Sequence, residues 1–228
     1  MLKLDEELEA FDRTLAEIKR VLASLTPQDL NQKSIAWVFA ILKRSQDMIY
    51  TADASIKVGH YVSGCLLIRG LIENAAILNG FERHCRQKLD CTETNVYVDE
   101  IAMKFILSSR ANTSREQAVN ILTHLDKYAK ETNPSIRASE HPSIRETYDH
   151  LSNWCHPNFE GTFNPFVEII DGQMRPNDKP SVLDTVSISS CLPISIASVR
   201  IESVKAIAAT LPSDIRQKIE AGYSNPQA

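Results

Sequence analysis

Glycine is scarce, with seven in 228 residues. A barrel or sandwich spends glycine on its many turns, so this scarcity favours long helices over a turn-rich β fold. Cysteine is sparse and odd in number, at positions 65, 85, 91, 155 and 191, with no C-x-x-C pair. The opening Met1-Leu-Lys-Leu-Asp-Glu-Glu7 is acidic and helical in pattern rather than a secretory leader. Free thiols in a reducing cytoplasm are therefore expected. There is no long basic run and the formal charge is −4, which excludes a chain-wide electrostatic pull on nucleic acid and leaves only a local patch for RNA. The most apolar run, 61–81, is broken by Arg69, Glu73 and Asn74, and so reads as a buried core helix and not a membrane span. No P-loop or dinucleotide fingerprint occurs, so no cofactor is expected. His84, Cys85, Cys91, Cys155 and His156 lack any recognised zinc-ligand spacing, so no metal is expected either.

What is present is helical periodicity. Leu4, Leu8, Phe11, Leu15, Ile18, Leu22 and Leu25 recur at spacings of four and three, with charged residues between them. Thr26-Pro27 ends this helix and starts a second, with Thr26 as N-cap and Asp29 in the first turn. Ile35, Val38, Leu42, Ser45, Ile49, Ala52 and Ile56 carry the second apolar stripe. Two stripes joined by a tight connection predict an antiparallel helical hairpin over 1–56; a dimer-forming coiled coil is the alternative.

A third helix is predicted over 57–88. It holds Gly59, Gly64, Gly70 and Gly80, each costing up to ~1 kcal/mol relative to alanine, so the close approach of a neighbouring backbone is expected in return. Further helices are predicted over 96–109, from the capping box Thr113-Ser-Arg-Glu116 to about 131, and from the capping box Ser143-Ile-Arg-Glu146 onward. The β-branched and aromatic run that ends at Asp171-Gly172 predicts a small hairpin or irregular insertion near 163–178. A last long helix starts near Ser181 and Asp184, with apolar positions Val182, Val186, Ala197, Ile201, Val204, Ala208 and Leu211 and a kink at Pro193. The expected fold is all-α, a multi-helix bundle forming one domain over 1–228. It divides into the N-terminal hairpin (1–56), a core with a polar site (57–160), the insertion (161–180) and C-terminal helices (181–222).

The segment 148–158, Tyr-Asp-His-Leu-Ser-Asn-Trp-Cys-His-Pro-Asn, is the densest in groups that donate, accept or carry a proton. At ~100° per residue, Arg145, Asp149, Ser152 and His156 share a stripe with Tyr148 beside it, while His150 points away. Pro157 ends the helix and leaves His156 at its C-terminus, where the macrodipole favours the imidazolium. On the third helix, Arg69 and Glu73 lie one turn apart on a face shared with Cys65, Ile72 and Ala76. A lone carboxylate satisfies only part of a guanidinium's five donors, so Arg69 is expected to face a polar pocket in which Glu73 orients it. The expected site is Arg69, Glu73, Tyr148, Ser152 and His156, with Arg145 and His150 secondary. The alternative is that these residues form a polar seam in a non-catalytic module that binds a protein partner. Cys155 beside His156 invites a thiol-enzyme reading, but neighbours on a helix point ~100° apart.

Two sequence patterns resemble known families. Arg145-Glu-Thr-Tyr-Asp-His150 matches the R-x4-H pattern of HEPN-type ribonucleases, helical bundles of prokaryotic toxin and defence systems. The combination of Arg-x-x-x-Glu at 69–73 with Tyr-x-x-Leu-Ser-x-x-x-His-Pro at 148–157 resembles a family of largely uncharacterised prokaryotic helical proteins, some similar to abortive-infection and HEPN-like domains. The resemblance spans roughly 35–160. It implies an RNA-directed protein and metal-independent RNA cleavage, with arginine neutralising the phosphate and histidine moving the proton of the attacking 2′-hydroxyl. It also implies a homodimer with the site across it. His150 belongs to the first pattern and His156 to the second.

Overall fold

The computed structural model describes residues 3–26, 31–89, 121–132, 144–155, 167–171, 173–176 and 182–210. Among them are six helices: α1 (Leu4–Ser24), α2 (Gln32–Lys57), α3 (Tyr61–Leu89), α4 (Ile121–Thr132), α5 (Ile144–Cys155) and α6 (Val182–Ala209). Two short strands, β1 (Val167–Ile170) and β2 (Gln173–Pro176), form the described sheet. The protein is an all-α multi-helix bundle. The helix expected over 96–109, the Thr113 capping box, Pro27 and Asp29, Pro157 and Leu211 lie outside the described residues.

The N-terminal stripes do what their spacing demands. Phe11, Leu15 and Ile18 of α1 are buried, and so is each of the seven α2 positions from Ile35 to Ile56. Asp12 ties the two helices by accepting from Gln46 Nε2 and from the Tyr50 hydroxyl, each at 2.8 Å. Both helices also pack on α6, where Arg200 reaches Glu7 at 3.3 Å. The stripes are thus covered within the chain, which is the intramolecular hairpin rather than the coiled-coil dimer. Helix α2 begins at Gln32, after Asn31.

Helices α3 and α6 form the central pair, with α2 beside both and α4 and α5 against α3. Ile68, Leu71, Ile72, Ala75, Ala76 and Leu78 of α3 are fully buried. By length and composition α3 could cross a membrane, yet these side chains are covered by neighbouring helices. The expectation for its glycines needs correcting. Gly59 lies outside the helix, in the α2–α3 turn at φ +85°, where an L side chain would be strained. The groups crowding Gly70 and Gly80 are side chains, those of Met48 and His124, whereas a Cβ at Gly64 would meet the Ile56 side chain at 2.9 Å with the Ala52 backbone carbonyl at 3.8 Å.

Helix α6 departs further from expectation. Ile201 is exposed and Val204 half-buried, whereas Ile188 and every residue from Cys191 to Val199 are buried. Over 191–199 the helix is buried on every side and has no stripe for periodicity to find. It runs unbroken through the buried Pro193.

The insertion is a hairpin, with Val167 opposite Pro176 and Ile170 opposite Gln173. Asp171 takes φ 50° at the turn, a left-handed conformation that aspartate tolerates better than most residues.

Candidate functional site

The site is built where α5 lies along α3. Helix α5 begins at Ile144, one residue after the Ser143 of the predicted capping box, and buries Ile144, Thr147, Tyr148, Leu151 and Trp154. That face turns Tyr148 toward Glu73 on α3. The Tyr148 hydroxyl donates to Glu73 Oε1 at 3.0 Å, and the Arg69 guanidinium carbon sits 4.9 Å from the centre of the Tyr148 ring. Arg69 Nε is 3.2 Å from the same Glu73 oxygen, but the two do not align as a hydrogen bond, so their contact is one of charge. The Cys155 thiol, two turns after Tyr148, also interacts with Arg69.

Three of the expected residues, Arg69, Glu73 and Tyr148, are therefore brought together. Ser152 follows Tyr148 by one turn; its hydroxyl is enclosed and has no hydrogen-bond partner among the described residues. His156 lies outside the described residues, immediately after Cys155. Arg145 and His150 are held elsewhere. Arg145 pairs with Asp126 of α4 and, at 3.0 Å, with Asp149. His150 is exposed, and its Nε2 meets the Ser187 hydroxyl of α6 at 3.1 Å. The shared stripe of Arg145, Asp149 and Ser152 predicted by the helical wheel is thus divided: its first turn serves the α4 surface, and the Arg69 contacts come from Tyr148 and Cys155.

The electrostatics follow from partial burial. Arg69 and Glu73 keep 27% and 30% of their side-chain surface exposed, so the pair is screened but not freely solvated. Burial works against the charge on Arg69, yet Tyr148, Glu73 and Cys155 together hold its pKa above the usual value. Burial, reinforced by the Glu73 carboxylate, raises the Tyr148 phenol against the pull of Arg69. Tyr148 is accordingly a hydrogen-bond donor at neutral pH and not a base. Burial raises the Cys155 thiol more than Arg69 lowers it, so this cysteine is a thiol rather than a thiolate nucleophile.

A second polar cluster escaped the sequence. Asn79 Nδ2 donates to Glu131 Oε2 at 3.0 Å and to Glu202 Oε2 at 3.2 Å, joining α3, α4 and α6. Arg83 answers Glu131 at 3.2 Å and Lys205 answers Glu202 at 2.9 Å. Burial raises the Glu202 carboxyl, opposed by Lys205 and Asn79. The signal was a set of charged residues inside long helices, which on one sequence is indistinguishable from a solvated face. Among the described residues no group of three or more His, Cys, Asp or Glu side chains is arranged to hold a metal ion, and Cys85 is buried in the core.

Comparison with protein-family models, curated proteins and solved structures finds no significant match.

Proposed function

We propose that this chain is a HEPN-like, RNA-directed protein of prokaryotic defence or toxin type, with Arg69, Glu73 and Tyr148 forming the phosphate-facing part of its site. The observation that carries this reading is the junction of two distant sequence patterns. The Arg-x-x-x-Glu turn of α3 and the Tyr-x-x-Leu-Ser segment of α5 meet in one cluster, through the Tyr148–Glu73 hydrogen bond and the ring contact to Arg69. Arginine suits a phosphodiester because its fork stays charged and carries more donors than one carboxylate consumes. His156 lies outside the described residues and enters this reading through the Tyr-x-x-Leu-Ser-x-x-x-His-Pro pattern alone.

In this reading Arg69 neutralises the phosphate and the His156 imidazole accepts the proton of the attacking 2′-hydroxyl. The oxygen–phosphorus bond that forms yields a 2′,3′-cyclic phosphate, and the bond that breaks releases a 5′-hydroxyl, which takes up a proton. Arg145 and His150 stay outside this step in this reading, since their contacts are with Asp126 and Ser187 and not with the Arg69 cluster. A site built on those two instead requires a second copy of the chain.

A second reading draws on the same contacts. Tyr148 bonds Glu73 and covers the Arg69 guanidinium, which also describes a polar seam fixing α5 on α3 in a non-catalytic interaction module. Incubation of the purified protein with total RNA in the presence of a chelator separates the two. The nuclease reading predicts cleavage that is lost in Arg69→Ala and His156→Ala and kept in His150→Ala. No cleavage by the wild type, or cleavage indifferent to the Arg69 and His156 substitutions, leaves the seam.

A further inference from the structure

The Arg69–Glu73 contact has an unusual construction for an ion pair that only fixes register. Glu73 Oε1 is shared: the Tyr148 hydroxyl donates to it at 3.0 Å, and Arg69 Nε approaches it at 3.2 Å without hydrogen-bond alignment. Glu73 is thus anchored by the tyrosine and only neutralised by the arginine. If another anion takes the guanidinium, the carboxylate keeps its hydrogen bond and has a place to remain. The guanidinium in turn keeps its stacking surface on the Tyr148 ring when Glu73 is displaced. Both charges are partly open to solvent, at 27% and 30%, so displacement exposes neither to a new dry environment. The enclosed Ser152 hydroxyl, one turn beyond Tyr148, is a further donor without a partner among the described residues.

We infer that Glu73 is a built-in competitor at the Arg69 anion position, so that an RNA phosphate binds by displacing the carboxylate from the guanidinium while Tyr148 retains it. This rests on the proposed function and assigns the regulation of that site. Glu73 then acts as a gate: it lowers affinity for RNA in general and favours polyanions that offer several phosphates over single anions, which exchange one charge for another with no gain. A screened pair of this exposure resists displacement only modestly.

The test is binding of a fluorescein-labelled oligouridylate with 2′-O-methyl groups, which lacks the attacking hydroxyl and so separates binding from cleavage. Glu73→Gln is the informative variant, because the amide carbonyl still accepts from Tyr148 and the side chain keeps its size. The inference predicts about fivefold tighter binding by Glu73→Gln, equivalent to ~1 kcal/mol. It also predicts that Arg69→Ala weakens binding and removes the Glu73→Gln gain in the double variant. Unchanged or weaker binding by Glu73→Gln, with Arg69→Ala still weakening it, overturns the competition and leaves the proposed function standing. A Glu73→Gln gain that persists without Arg69 also overturns it, since that is a general charge effect. No binding by any of the four proteins, or wild-type affinity in Arg69→Ala, overturns the inference and the proposed function together.

Discussion

Arg69 is surrounded by groups that each use a different part of it. Glu73 meets its charge, Tyr148 covers its face, and the Cys155 thiol lies close by. Arg69 and Glu73 at one-turn spacing, set among core-type residues, were readable from the sequence, and so was the need for a partner from a later helix. Tyr148 was among the partners the sequence offered, but that it rather than Ser152 bonds Glu73, with Arg145 turned toward Asp126, was not legible, because two positions 60° apart on a helical wheel are separated by tertiary packing alone. His124 shows the same limit. Nothing in Thr-His-Leu marks it, yet its ring packs on Gly80 and is buried. Burial, with Arg83, His84 and Lys127 nearby, lowers its pKa to about 4. The unfolded chain, with an ordinary histidine near 6.5, binds a proton over a pH range where the folded chain does not. Stability is therefore full above about pH 6.5 and is lost as pH falls toward about 4, by about 2 kcal/mol at pH 5. Urea unfolding should show the gap between wild type and His124→Gln narrowing by that amount from pH 7.5 to pH 5. A gap that stays constant contradicts a buried neutral imidazole.

Among the elements, α1 and α2 were legible because each has one buried face and one wet face, which is the condition under which spacing reports structure. The Asp171 turn was legible because few residues accept its backbone conformation. The existence of α6 was legible but its buried side was not, since burial all round over 191–199 erases the stripe there. Its buried Ser195 and Ser198 bond back to the carbonyls of Cys191 and Ile194, so they look polar in sequence but are satisfied within the helix. The glycines of α3 were half legible: their cost implied crowding, but not by what. Their surroundings differ in a testable way. A methyl at Gly70 meets the flexible end of Met48, whereas at Gly80 it overlaps the imidazole of His124, which has fewer ways to move. Gly70→Ala should fall within about 1 kcal/mol of wild type, as helix propensity offsets the contact. Gly80→Ala should destabilise by about 1–3 kcal/mol through overpacking. Chemical denaturation compares them directly, and equal effects at the two positions refute this account of the α3–α4 contact.

At the scale of the whole molecule, α3 is the member that every part of the account uses. It packs on α6 and α2 to make the core, and it faces α5 with Arg69 and Glu73 and α4 with Asn79 and Arg83. Two polar groups of α3 stand out, the charge network around Asn79 and Arg83 and the cluster around Arg69 and Glu73. The network around Asn79 is balanced: Arg83 and Lys205 answer Glu131 and Glu202, so it has little charge left for a ligand. In the Arg69–Glu73 cluster one carboxylate faces a guanidinium whose Nε has no hydrogen-bond partner among the described residues, and RNA is proposed to bind there. The measurement that meets this claim most directly is photo-cross-linking of a 4-thiouridine RNA to the purified protein, followed by identification of the linked peptides. The account predicts cross-links in the α3 segment around Arg69 and in the α5 segment around Tyr148, lost on Arg69→Ala. Cross-links confined to the β1–β2 hairpin or the α1 surface, or none at all, would contradict it.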